Sequence, residues 1–436
     1  MRVSRAVVFG VSCLGLACAG GGPVRTGAVA PAGIPALTAQ AQQQPSNANA
    51  RFRLAAALMA AGRCDTATVV ARAGQQVAPA NAIGPLVIGG CEEKGGRYDL
   101  AFATYTDFAT QHPQARGVGT VRAKAQIALR TQAEQTARQA LASESTLTRQ
   151  APEPSTLAVL PVTISSSDST FRPLSRGLAE LITSDLALVR SLRLLERIQI
   201  GALLDELKLG QSERGDPATA ARVGRLLRAE RMVQGVASIT PNGPVRLSAS
   251  VVRGDGTVRS GAQANGTFQQ LLDLEKQLVI SLASQLGIQL TDAERQRILR
   301  QGPRNLAAFL AYSQGLEALD RGDYRAAASA FSASVRADPN FQAAQQQQQA
   351  AEAAPAVEAG GDAVAAVDVA PQEAPPPSPP TVGALESAKN ETSPSLGGVL
   401  TGNGNETTNT ELTPASQGIN SVVQVSGIIR IIFKRP

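Results

Sequence analysis

Aromatic residues make up 3% of this 436-residue chain and tryptophan is absent, so the chain is poor in the large rings that otherwise fill cores and membrane interfaces. Histidine occurs once, at His112, so a Ser-His-acid triad or a His-based zinc protease would rest on that residue alone. The sequence has no Gly-rich phosphate loop ending in Lys-Ser or Lys-Thr, and no Gly-x-Ser-x-Gly elbow. Past the amino terminus no run reaches the roughly 18 apolar residues of a membrane-spanning helix. The net charge of +6 is modest and its Lys and Arg residues are scattered, unlike the concentrated basic face of a nucleic-acid binder. Carboxylates such as Glu180, Asp185, Glu196, Asp205, Glu206 and Glu230 fall at helical spacing on polar faces or beside Arg, and read as solvated charge. The expectation is a protein without catalytic residues, cofactor or metal, and without nucleic acid as a partner.

What is present is a recurring corner. Gly62-Arg63-Cys64-Asp65-Thr66-Ala67 is followed 34 residues on by Gly96-Arg97-Tyr98-Asp99-Leu100-Ala101, and the pattern returns as Gly322-Asp323-Tyr324-Arg325-Ala326-Ala327. Gly permits the turn, the aromatic or Cys wedges between two helices, Ala lets their backbones approach, and Pro79, Pro113 and Pro339 close the units. The pattern resembles the tetratricopeptide repeat, with its period of 34 residues. That resemblance implies a protein-binding surface. It places Arg51, Leu54, Leu58, Leu86 and Glu93 in the partner groove and makes Tyr98, Ala101, Tyr105, Tyr324, Ala327 and Phe331 packing residues.

The amino terminus carries an export signal: Arg2 and Arg5, a short apolar core over residues 6–16, then Leu16-Ala17-Cys18-Ala19. Cleavage before Cys18 would give a lipid-anchored lipoprotein; cleavage before Gly20 is the alternative. The lipoprotein is preferred because a Cys ends the apolar core, although Gly15 stands where bacterial lipoproteins usually carry Leu. Cys64 and Cys91 then remain. An oxidising compartment permits their pairing as a disulfide, and two buried thiols are the alternative.

Between the repeat regions the period changes. Residues 156–164 form an apolar run whose Pro161 implies an edge strand or a bulge. Leu174, Leu178, Leu181, Ile182, Leu186 and Val189 mark one helix face, Ile200, Leu203, Leu204 and Leu207 a second, and residues 193–196 a short strand between them. Asp216-Pro217 starts a further helix. Strands over 231–239, 245–252 and 257–268 follow, joined by turn-rich segments, then a helix through Leu271 and Leu282 and one opened by the capping box Thr291-Asp292-Ala293-Glu294. The pattern is a small mixed sheet covered by helices.

Within it, Ala158-Val159-Leu160-Pro161, Gly177-Leu178-Ala179-Glu180-Leu181-Ile182 with Asp185-Leu186, Leu194-Leu195-Glu196-Arg197-Ile198-Gln199, Leu203-Leu204-Asp205-Glu206-Leu207, Ala220-Ala221-Arg222-Val223-Gly224 and Val233-Gln234-Gly235 are similar in order and spacing to the curli production assembly/transport (CsgG-like) lipoproteins. Their relatives include flagellar accessory lipoproteins and the amino-terminal domain of the Tol propeller protein. The resemblance implies non-catalytic envelope work in assembly, secretion or scaffolding. The curli channel adds membrane-spanning hairpins, whose strands need about 9 to 11 residues with lipid-facing alternation. Here the strands read as about eight or nine residues, with Phe268 as the sole aromatic and Arg246, Arg253 and Arg259 interrupting them.

The expected organisation is multidomain: signal peptide 1–19, linker 20–46, α-helical tetratricopeptide-like repeats 47–150, α/β domain 156–300, a tetratricopeptide-like unit 303–350, a disordered tether 351–420 and a β-strand tail 421–436. The tether is Pro-, Gly- and Asn-rich, while the tail is strongly β-forming and is expected to dock on a sheet edge or add to a partner. The corresponding function is a scaffold or secretion accessory on the periplasmic face of the outer membrane or in the periplasm. It would bind envelope proteins and reach the membrane through Cys18, with homo-oligomerisation left open. A curli-type channel subunit and a periplasmic ligand-binding module are the alternatives.

Overall fold

The computed structural model describes residues 33–208, 216–241, 243–358 and 363–368. Helices α1 (Ile34–Gln43), α2 (Ala48–Ala60), α3 (Cys64–Val77), α4 (Ile83–Lys94), α5 (Tyr98–Gln111) and α6 (Val118–Ala142) form the first helical region. Asn47 opens α2 by accepting from the Ala50 N–H. Gly62 and Gly96 turn the corners after α2 and α4 at φ +76° and +70°, a left-handed conformation that side chains resist. Ala67, Ala71, Ala101 and Tyr105 are buried between the helices, and Tyr98 is half-buried. Helix α1 occupies part of the stretch read as linker 20–46, because Ile34, Leu37 and Ala41 cover the same apolar cluster as Phe52 and Leu58.

The short α7 (Glu144–Leu147) leads into β1 (Glu153–Val159), β2 (Thr163–Ser165), α8 (Leu174–Leu186), β3 (Arg193–Leu194), α9 (Arg197–Glu206), α10 (Pro217–Leu227), β4 (Ala229–Ile239), β5 (Pro244–Arg253), β6 (Val258–Thr267), α11 (Leu271–Gln285) and α12 (Asp292–Arg300). The sheet order is β3-β1-β4-β5-β6, with β2 also paired to β4; β1, β2 and β3 run parallel to their partners, and β4, β5 and β6 are antiparallel. Thus β1 lies inside the sheet between β3 and β4, while β2, its continuation past Pro161, pairs with β4 alone. Val159 pairs with Val233 and Thr163 with Val236, so the first strand carries one extra residue around Pro161, a bulge. A second irregularity lies between Ala249 and Val251 of β5, opposite Gly261, where a Cβ would meet the Ala249 carbonyl oxygen at 1.7 Å.

Helices α8, α11 and α12 cover one sheet face around Leu157, Val159, Val233, Leu247 and Ala262. Helices α9 and α10 and the end of α6 cover the other around Ala158, Leu160, Met232 and Val252. Asp216 caps α10 by accepting from the Thr219 N–H, and Thr291 and Glu294 form the capping box of α12.

The chain then returns to helices: α13 (Leu306–Asp320), α14 (Tyr324–Ala337), α15 (Gln342–Glu358) and α16 (Ala363–Asp368). Gly322 turns the corner at φ +75°, and Tyr312 packs on Phe331 and Phe341 with ring centroids 5.5 and 4.7 Å apart. Helix α15 lies along α6, with Gln126 Nε2 donating to Gln347 Oε1 at 2.5 Å and Arg122 bonded to Gln349. Val364 and Val367 of α16 pack into the amino-terminal helical cluster. The segment read as disordered tether 351–420 therefore begins as helix, because Ala351 and Ala354 extend the buried small-residue stripe of α15. The remainder of that tether, the signal with Cys18 and the tail 421–436 lie outside the described residues.

Candidate functional site

Parallel α/β sheets bind ligands and partners at the carboxyl ends of their strands, where successive helices leave for opposite faces. Here β1 ends beside Pro161 and sends α8 to one face, while β3 ends at the start of α9 on the other. A crevice of about 320 Å³ opens at this point, lined by Pro161, Arg176 and Ala179, by Arg197, Gly201 and Asp205, and by Arg130, Glu134 and Arg138 of α6 with Asp320 of α13. Two elements of the α/β domain and one from each helical region thus meet in one cavity.

Its floor is an ion-pair network. Arg197 Nη1 donates to both Asp320 oxygens at 2.9 Å, Arg197 Nε donates to Glu180 Oε2 at 3.1 Å, and Arg176 pairs with Asp320. Burial alone would lower the Arg197 pKa, but the Asp320 and Glu180 carboxylates outweigh it and hold the guanidinium above its ordinary value. For Asp320, burial acts upward and is overcome by Arg197 and Arg176, which depress it. Removing one partner of such a pair strands the other charge, a cost of about 3 to 5 kcal/mol. The floor therefore clamps α8 and α9 to α13. Close approach of α8 and α13 also needs Gly177, where a Cβ would meet Ser313 Oγ at 1.9 Å.

A second buried polar group joins α8 to α11. Asp185 and Glu275 have fully buried side chains, and Lys276 Nζ lies 2.5 Å from Asp185 Oδ2 and 3.3 Å from Glu275 Oε2. Asp185 Oδ1 and Glu275 Oε1 accept no hydrogen bond among the described residues. Burial, then the Glu275 charge, pushes the Asp185 carboxyl up to about 8, and burial also raises Glu275. Asp185, read from the sequence as solvated, is instead in the core: its helical position falls on the buried face of α8.

Residues expected in the repeat groove are committed elsewhere. Leu54, Leu58 and Leu86 are 5, 2 and 2% exposed and belong to the apolar core, because α1 and α16 add a layer that a bare repeat lacks. Arg51 Nη1 donates to the Ala73 carbonyl at 3.0 Å, while Glu93 accepts from Tyr105 Oη at 3.1 Å and pairs with Lys124. Cys64 and Cys91 are joined as a disulfide with Cα atoms 5.3 Å apart. Sequence reading missed Arg197 and Asp320 as partners because 123 residues separate them. No group of three or more His, Cys, Asp or Glu among the described residues is arranged to hold a metal, and no described helix is long and apolar enough to cross a membrane.

Residues 138–241 match the family model of the curli production assembly/transport component CsgG. The matched stretch runs from the end of α6 through β4, so it contains the crevice wall made by α8 and α9 and stops short of β5, β6, α11 and α12. No curated protein matches the chain. Among solved structures, the crystal structure of the APC/C hetero-tetramer Cut9-Hcn1 is similar over 74% of this chain and 46% of that chain, at 12% identity and a TM-score of 0.22. This chain thus spans less than half the length of that protein, and the superposition is too loose to define a shared fold.

Proposed function

We propose that the protein is an exported, non-catalytic envelope lipoprotein, anchored through Cys18, that acts as a scaffold or as an accessory to assembly or secretion by binding other envelope proteins. One observation carries this reading. Helical segments on either side of a CsgG-like domain in the sequence are brought together in space, α6 along α15, and both are fastened to that domain at the crevice. Such a body presents helical surface on a fixed platform, and the Arg176, Arg197 and Asp320 charges on the crevice floor are paired with one another.

The channel alternative draws support from strand length. Strands β4, β5 and β6 have 11, 10 and 10 residues, longer than the sequence suggested and long enough to span. Their faces oppose it: one packs on α11, and the other is covered around Met232 and Val252 and beyond them exposes Val236 among Ser238, Arg246, Gln263 and Asn265, a mixed row and not a lipid-facing one. The reading is tested by adding the mature chain to planar bilayers and by native mass spectrometry. Silent bilayers and a spectrum free of bound small molecules are expected. Discrete conductance steps would establish the channel, and a retained ligand the binding module.

A further inference from the structure

The sheet ends on β6, and among the described residues no strand pairs with its outer edge. Proteins blunt such edges with Lys, Pro or inward-pointing charge. The first half of β6 carries Arg259 and the register irregularity, whereas residues 262–267 read Ala-Gln-Ala-Asn-Gly-Thr, with no charge, Pro or bulge. Ala262 and Ala264 point toward α11 and are buried, Gly266 lies under Leu274, and Gln263 and Asn265 are exposed on the opposite face. Beyond the edge lies a hollow of about 370 Å³, lined by Asp273, Gln277 and Ile280 of α11 and by Leu299 of α12, which is 48% exposed. A strand added about 4.8 Å outside β6 would put alternate side chains into this hollow.

The same chain holds a segment of matching chemistry outside the described residues. After Gly427, residues 428–433 read Ile-Ile-Arg-Ile-Ile-Phe. Alternation puts Ile429, Ile431 and Phe433 on one face, and Ile428, Arg430, Ile432 and Lys434 on the other. Residues 421–436 contain no acid but carry Arg430, Lys434 and Arg435, whereas the exposed charge of the hollow is Asp273; the Lys276 ammonium is turned inward on Asp185 and Glu275. Residues 369–427 intervene. A chain of that length and composition spans on the order of 40 Å, wider than a small domain.

We propose that residues 428–433 of this chain add to β6 as a further strand, with Ile429, Ile431 and Phe433 in the hollow beside Ile280 and Leu299. Tethering turns docking into an intramolecular event at a high effective concentration and removes two aggregation hazards together.

The test is hydrogen exchange on the full mature chain against an Ile429→Asp/Ile431→Asp variant, at two protein concentrations. The amides of residues 262–267 are expected to exchange about tenfold or more faster in the variant, with β4 unchanged and no concentration dependence. Equal exchange in the two proteins overturns the proposal. So does protection that grows with concentration alongside a dimer in light scattering, which would assign the edge to a second copy. A Gln263→Cys/Arg430→Cys protein gives an independent reading: a bond within the monomer supports the assignment, and one found only between chains refutes it.

Discussion

Stability should fall as pH rises through the range in which the buried Asp185 carboxyl loses its proton. With Lys276 charged and one proton on the two carboxyl groups, the cluster is neutral; losing that proton leaves one uncompensated negative charge on two carboxyl side chains that have no access to water. Asp185 titrates at about 8 in the folded chain against 3.8 ordinarily. The folded state therefore holds a proton that the unfolded state releases. The contribution is full below about pH 4 and is lost as pH climbs to about 8. A shift of this size corresponds to about 6 kcal/mol as an upper bound. Lys276 is held above its own ordinary value by Glu275 and Asp185 despite burial, so it stays charged throughout this window. Asp185→Asn should flatten the dependence: near-equal stability with wild type at pH 5 and a gain of several kcal/mol at pH 9. Lys276→Met should cost about 3 to 5 kcal/mol at pH 7 and considerably less when combined with Asp185→Asn. Urea unfolding read by hydrogen exchange at the α8 and α11 amides measures all three. Parallel pH curves for wild type and Asp185→Asn between pH 5 and 9 would refute the reasoning.

Four further outcomes are expected. Glu93→Ala, at a position that the repeat resemblance puts in the partner groove, should lower the melting temperature through a loss of about 1 to 3 kcal/mol, because it strips the buried Tyr105 hydroxyl of its acceptor. Gly177→Val should destabilise by about 1 to 3 kcal/mol or more by forcing α8 from α13, while Gly201→Ala, which meets nothing within 4 Å, should be nearly neutral in thermal melts. Thiol titration of unreduced mature protein should find Cys64 and Cys91 blocked, and reduction should cost the amino-terminal helices about 3 kcal/mol. The intact mass of the mature chain should show a diacylglycerol thioether on Cys18, and an unmodified start at Gly20 would remove the anchor.

What could be read from sequence was local chemistry. The capping box at Thr291 and Glu294, the Asp216-Pro217 helix start and the three glycine corners each depend on residues within one turn of each other, so their spacing carries the signal. The bulge at Pro161 was equally legible, but the place of β1 inside the sheet was not, since that depends on β3 crossing to the far side of β1. Helix α15 escaped notice beyond residue 350 because its contact stripe, Ala344, Ala351 and Ala354, is made of small residues that barely raise the apolar pattern. The crevice was invisible for another reason. Arg176, Arg197 and Asp320 look like solvated charges on amphipathic helices, and only the return of α13 against α8 turns them into a clamp.

The central claim, that this body works by holding other envelope proteins, is tested most directly by quantitative pull-down of the cross-linked full-length chain from solubilised envelopes. The comparison is an Arg197→Glu variant, in which the clamp between α9 and α13 is broken. The account predicts a reproducible set of envelope proteins enriched by the wild-type chain over an unrelated lipoprotein and reduced by the variant at equal abundance. A wild-type chain that enriches nothing beyond that control, or a set of proteins held equally by both chains, would contradict it.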